Sequence, residues 1–278
     1  MFKNIFSGLN PQQKQLLVKE YGSIDIAVEE EAKRLATTIY NTTFGGKGEK
    51  VLFAEPYITA FCTIDKANER IANHGLLSQW RAYGAQGGYV IIFDTKQQIQ
   101  LLHEEGKKWA YSAVFAGDVV YSSATDEEVY DEFREQIDAI QRNWENAFHT
   151  RDYTALKDTY KHIVSCACRY KHWGFEEERE FRIVAVPTPP EIVEIAKKDG
   201  KTISPKKPVS SFVRNSTAVP YLNLFDGITR FSDNPLPIKR VIVGPHPDKD
   251  KRKMAVEKLL SQNNIQPDVS VTAIPYLA

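Results

Sequence analysis

The 278 residues carry 36 Lys plus Arg against 36 Asp plus Glu, a formal net charge of zero, with 42% hydrophobic and 26% charged residues. These are the proportions of a globular protein, and the balance argues against a chain whose main work is holding a phosphate backbone, while leaving room for a local basic patch. There is no run of 18 or more apolar residues, so no membrane span is expected, and the opening MFKNIFSGLNPQQKQ has neither a long apolar core nor a small-residue cleavage site.

Residues 11–20 and 25–42 read as helices, the second with Ile24, Ala27, Ala32, Leu35 and Ile39 on a rough helical stripe. Glycines 45, 46 and 48 mark a loop, and Val51 to Thr63 is extended and β-rich, with Pro56 as an edge or a break. After a polar helical segment, Gly84, Gly87 and Gly88 form a turn, Tyr89 to Phe93 a short buried strand, and Thr95 a cap for a helix through His103. Over 126–149 one stripe runs through Val129, Phe133, Ile137, Ile140, Trp144 and Phe148, with Asp126, Glu127 and Glu128 in a first turn that suits carboxylates. A second helix, 153–169, carries Tyr153, Leu156, Tyr160 and Ile163, and the two are expected to form a hairpin on the sheet. Arg179 to Val186 reads as a strand, and the Pro- and Lys-rich 187–209 as a long surface loop whose Lys206-Lys207 pair is solvated. Strand 239–243, the turn at Gly244-Pro245, helix 249–262 and strand 268–273 follow the order of a βαβ unit.

The expected fold class is α+β, or α/β. It is a single domain with a mixed central sheet, the helical hairpin as an insertion, and a C-terminal strand-helix-strand unit. The three cysteines are Cys62, alone, and Cys166 and Cys168, which a helix would direct to different sides. That count and spacing predict no disulfide framework and a reducing, cytoplasmic setting.

Four clusters can carry chemistry. In Glu178-Arg179-Glu180-Phe181-Arg182, strand alternation places Glu178, Glu180 and Arg182 on one face. Two neighbouring carboxylates repel, so one can keep its proton or act as a base. The blander alternative is an exposed face of intrastrand ion pairs, worth little. In Gln79-Trp80-Arg81-Ala82-Tyr83-Gly84, aromatic faces can sandwich a flat base or nicotinamide while Arg81 binds phosphate or carboxylate. The alternative there is core packing by Trp80 and Tyr83. His172 can titrate or bind a ligand, although a lone His is more often structural. Gly244-Pro245-His246-Pro247 precedes a helix, but its two prolines remove amide donors, and it reads mainly as a turn. No zinc-type Cys/His spacing, HExxH, GxSxG or Walker A motif is present, so no metal is indicated.

Phe61-Cys62-Thr63, LSQWRAYG, GGYVIIFD, YKHWGFEEEREFR, VIVGP and the closing IPY, taken in order, resemble the bacterial domain-of-unknown-function family 2971 over roughly residues 50–278. Residues 1–49 then form an N-terminal helical segment. A further resemblance, at the level of the fold, is to ADP-ribosyltransferases. It implies NAD as substrate, Thr63 as the Ser/Thr element, Glu178 and Glu180 as the acidic pair, and Glu180 as the catalytic carboxylate. Gln79, Trp80, Arg81, Tyr83, His172 and Arg182 are the expected binding residues. The implied biology is a toxin or defence effector modifying an unknown macromolecule. Two other classes stay open: a non-catalytic nucleotide- or protein-binding module, and a nucleic-acid-processing enzyme using Glu178 and Glu180 to hold Mg²⁺. Members of the family usually open with a Tyr-His-bearing strand and an Asn-Asp-Pro-type segment, and neither precedes Gly45. The resemblance therefore implies a truncated chain, a misassigned start, or a partner that supplies that strand.

Overall fold

A computed structural model describes residues 10–44, 55–64, 67–84, 87–122, 126–150, 158–200, 202–228 and 236–275. The chain divides into two compact units, 1–59 with 110–173 and 183–207, and 60–109 with 174–182 and 208–278. Strands β1 (Tyr57–Cys62) and β6 (Glu180–Pro187) run through both.

The first unit opens on helices α1 (Pro11–Tyr21) and α2 (Ile24–Phe44), the latter capped where the Ile26 amide donates to Ser23 Oγ at 3.1 Å. Its core lies under β3 (Tyr111–Asp118), which flanks β6 in a three-stranded sheet of order β1-β6-β3. Ala113, Tyr160, Val164, Cys168, Val184 and Val186 bury together there, with Phe115 packed against them. A short parallel pair, β4 (Val120–Ser122) with β5 (Tyr170–His172), stands apart. The predicted hairpin is present: α7 (Arg134–Thr150) packs on α8 (Thr159–Arg169), and Asn143 Nδ2 donates to Thr159 Oγ1 at 3.3 Å. The helix expected over 126–149 runs as α6 (Asp126–Glu132) and α7, and the Phe133 amide donating to the Val129 carbonyl at 3.2 Å and the Ile137 amide to the Phe133 carbonyl at 2.9 Å carry it through the buried Phe133 between them.

In the second unit β9 (Ile238–Val243) pairs parallel with β10 (Asp268–Val271) and antiparallel with β2 (Tyr89–Phe93), and α10 (Lys249–Gln262) makes the crossover. This is the predicted strand-helix-strand unit, and its core gathers Ile238, Val241, Leu260 and Ile265 with Phe93, Val256 and Val269. Two short helices, α3 (Glu69–His74) and α4 (Leu77–Tyr83), precede β2.

The α+β class stands, but several expectations need correction. In place of one central sheet there are several small ones. Tyr89 and Ile91 are exposed, since β2 is an edge strand and not a buried one. The helix α5 runs from Thr95 to Lys108, and its cap is Asp94, whose carboxylate accepts from the Gln97 amide at 3.1 Å. Residues 190–198 form a helix, α9, with Val193 buried, inside the stretch expected as loop. Lys207 is not solvated but 1% exposed. A hairpin of β7 (Val209–Arg214) and β8 (Thr217–Leu222), turning at Asn215 and Ser216 with φ of 48° and 61°, was not anticipated. The predicted loop at 45–48, the start of the 51–63 strand, and Tyr153 and Leu156 lie outside the described residues.

Candidate functional site

The acidic motif is built as a junction between a 3-10 helix, Trp173–Glu178, and β6. The helix closes where the Arg179 amide donates to the Glu176 carbonyl at 3.0 Å, and Arg179 itself takes φ 43°. Its carbonyl then accepts two hydrogen bonds from Thr63, one from the amide at 2.9 Å and one from Oγ1 at 2.8 Å. Thr63, just past the end of β1, is thereby joined to the residue between Glu178 and Glu180, a juxtaposition across 116 residues of sequence.

Glu180 and Arg182 share a strand face as alternation predicts, and they form a tight pair. Arg182 Nε and Nη2 both donate to Glu180 Oε2 at 2.7 Å, with side chains only 14% and 8% exposed. A charge-assisted contact in so dry a setting is strong and geometrically specific. Glu178 does not belong to that face. It sits in the 3-10 helix, half-buried, and the left-handed turn at Arg179 breaks the alternation that would have aligned it. The same helix is tied to α4, where Ser78 Oγ donates to Glu177 Oε1 at 3.1 Å. Neither Ser78 nor Glu177 was singled out from the sequence. The only signal was their place inside the two motifs.

The Gln-Trp-Arg-Ala-Tyr-Gly motif is split by burial. Trp80 is 6% exposed, and its Nε1 donates to the His74 carbonyl at 2.9 Å. A Cβ built on Gly75, Gly84 or Gly244 would meet Trp80 atoms at 2.9, 3.0 and 2.6 Å, so the indole lies against backbone on several sides. Its faces are closed to a ligand, and the sandwich expected of Trp80 with Tyr83 is not formed. Tyr83 is 77% exposed, Arg81 is exposed and Gln79 half-buried, so these three remain accessible.

His172 ends β5 in the first unit, exposed, with its ring centroid 5.3 Å from that of Trp173 and tilted by 33°. Gly244-Pro245-His246-Pro247 is a turn, as read: His246 Nδ1 accepts from the Asp248 amide at 3.0 Å, and Gly244 donates to the Gly88 carbonyl at 2.9 Å. Among the described residues no group of three or more His, Cys, Asp or Glu side chains is arranged to hold a metal ion, and no helix is long and apolar enough to cross a membrane. Burial pushes the Cys166 thiol up to about 11, which leaves it little thiolate at neutral pH.

The fold and the junction define a mixed α+β protein whose central strand opens on an arginine-clamped carboxylate. Residues 79–183 match the family described as "Protein of unknown function (DUF2971)". The match runs through both motifs, from Gln79 to the β6 strand, so the family resemblance read from them is borne out over that stretch. Its description assigns no activity. No curated protein and no solved structure matches the chain.

Proposed function

We propose that the chain is an ADP-ribosyltransferase-like enzyme that takes NAD as substrate and modifies a macromolecule, as a toxin or defence effector would. The observation that supports this reading is the double hydrogen bond from Thr63 to the Arg179 carbonyl, which sets a hydroxyl residue beside the Glu178-Arg179-Glu180 turn. In the proposed reaction the bond between the ribose and the nicotinamide nitrogen breaks, and its electron pair leaves with nicotinamide. The acceptor forms the new bond to the ribose carbon and gives up its proton to a carboxylate or to solvent. Glu180 stabilises the positive charge that develops on the ribose. Arg182 fixes the orientation of Glu180, and exposed Arg81 and Tyr83 are suited to phosphate and to a flat ring. Buried Trp80 supports the motif from beneath and takes no part in stacking.

The test is loss of NAD in the presence of the purified protein and a lysate as acceptor. Wild type is expected to consume NAD, and Glu180→Gln to do so at least about a hundredfold more slowly with its thermal unfolding preserved. Equal rates for the two proteins would remove Glu180 from the chemistry.

One observation favours a second reading, a non-catalytic binding module. Two guanidinium nitrogens already occupy Glu180 Oε2, so that carboxylate is committed to a structural pair. This reading expects nucleotide to raise the unfolding temperature without any product appearing.

A further inference from the structure

The β7-β8 hairpin is a two-stranded sheet by itself, and both of its faces are open. All of β7 is exposed, and in β8 only Val219 and Leu222 are half-buried. Val209, Val213, Ala218, Pro220 and Leu222 share one face, while Phe212 and Tyr221, with ring centroids 5.8 Å apart, lie on the other. A lone hairpin of this kind is marginal in water. This one is anchored at its exit to α5: the Phe225 amide donates to Glu105 Oε2 at 3.0 Å, and Lys108 Nζ donates to the carbonyls of Asp226 and Gly227 at 3.3 and 2.9 Å. Its two edges differ. The turn at Asn215 and Ser216 makes Arg214 and Thr217 a hydrogen-bonded pair, and bonded and non-bonded pairs alternate from there. Val209, Ser211 and Val213 therefore aim their N–H and C=O outward from β7, and Ala218, Pro220 and Leu222 aim theirs outward from β8. Pro220 has no N–H to offer, and the Leu222 carbonyl already accepts from the Leu224 amide at 3.1 Å, so the β8 edge is blunted. The β7 edge keeps every donor and acceptor.

We infer that the β7 edge pairs with the β7 edge of a second copy of this chain. Set antiparallel about a two-fold axis at Ser211, every outward residue of one copy meets an outward residue of the other: Ser211 meets Ser211, and Val209 meets Val213. In that register like faces of the two hairpins coincide, and a slip of one residue would mismatch them. The self-match is what singles out a second copy over an unrelated strand. The ribbon it forms has more than the three strands such a sheet needs, and Val209 and Val213 pack across the seam. Charge does not oppose the pairing, because Arg214 is the one charged residue in 209–222, it falls beyond the strand end of the other copy, and the whole chain has a formal net charge of zero. Two six-residue strands are about half of the roughly 20–30 residues a side of a standard interface, so the dimer is reversible, with a Kd on the order of 10 µM.

The experiment is sedimentation velocity of the full chain over a concentration series. Wild type is expected to pass from monomer to dimer across about 1–100 µM. Val213→Lys, at a position 76% exposed, sets a charge on the open edge and should weaken the dimer at least about tenfold with the unfolding temperature unchanged. Ala218→Lys makes the same change on the blunted edge and should leave the dimer within about twofold of wild type. The register is read by disulfide trapping in a Cys62→Ser background. Ser211→Cys should give a covalent dimer on mild oxidation, since residues in a hydrogen-bonded pair have Cα atoms about 5.5 Å apart. Val213→Cys should not, because it faces Val209 of the second copy. A chain that stays monomeric throughout overturns the inference and leaves the edge to an extended segment of another protein. A dimer that both lysine variants weaken equally, or that neither weakens, forms through another surface and overturns it as well.

Discussion

Two tryptophans sit in the motif strings LSQWRAYG and YKHWGFEEEREFR, and meet opposite fates. Trp80 is 6% exposed and Trp173 is 55% exposed. The difference lies in what surrounds each ring. Around Trp80, glycines 75, 84 and 244 let backbone approach the indole, and the His74 carbonyl takes its N–H. Trp173 begins a six-residue 3-10 helix with no buried residue, and its ring lies beside that of the exposed His172. One motif is therefore a piece of core that presents Arg81 and Tyr83 at its edge. The other is a surface arch that delivers the chain to Glu180.

The sharpest way to break this comparison is to truncate both rings. Trp80→Ala is expected to cost about 3–5 kcal/mol of stability, and Trp173→Ala less than about 1 kcal/mol. Urea unfolding followed by circular dichroism measures both, and equal losses would erase the distinction. Next in size is Arg182→Met, which removes the clamp from a buried carboxylate and should cost about 3 kcal/mol at neutral pH. Adding Glu180→Gln to that variant should restore part of the loss, as a double-mutant cycle will show. Gly244→Ala probes the packing of Trp80 directly. Its new methyl would meet the ring at 2.6 Å and the Gly88 carbonyl at 2.9 Å, and overpacking of this kind costs about 1–3 kcal/mol.

The smallest effect is a pH slope from the half-buried His162 of α8. Burial, aided by the charges of Lys161 and Arg142, holds His162 below the ordinary 6.5. The unfolded chain then binds more protons than the folded one between those two values. Stability is accordingly full above pH 6.5 and declines as the pH falls through that window. Thermal unfolding of His162→Gln, compared with wild type at neutral and mildly acid pH, should show the slope flattened. An unchanged slope would place its origin elsewhere.

Much of the fold was legible because its signals are local or periodic. The stripe from Phe133 through Ile137, Ile140 and Trp144 depends only on helical spacing, and it predicted the hairpin that α7 and α8 form. The β9-α10-β10 order could be read from two short apolar strands around a charged helix. The family resemblance came from motif strings, and residues 79–183 carry it. The places where reading failed are places where the decisive residue type was missing. Arg179 occupies a left-handed position that glycine or asparagine normally announces, so strand alternation was carried one residue too far and Glu178 was assigned to the wrong face. Asp94 took the cap expected of Thr95, since the two are adjacent and both accept hydrogen bonds. Nothing in the spelling of Lys206-Lys207 distinguishes a lysine that is buried from one that is exposed.

By itself the sequence determined the α+β class, the helical hairpin, the terminal crossover and the residues that deserve attention at the acidic strand, because period, composition and motif order are properties of the chain alone. Only the tertiary structure decided which of those residues meet. That Thr63 reaches the Arg179 carbonyl, that Ser78 reaches Glu177, and that Arg182 closes on Glu180 while Glu178 turns aside all depend on distances between segments and on one left-handed residue. Hydrogen-bond geometry across a hundred residues is set by packing, and packing is not written in the spacing of any one segment.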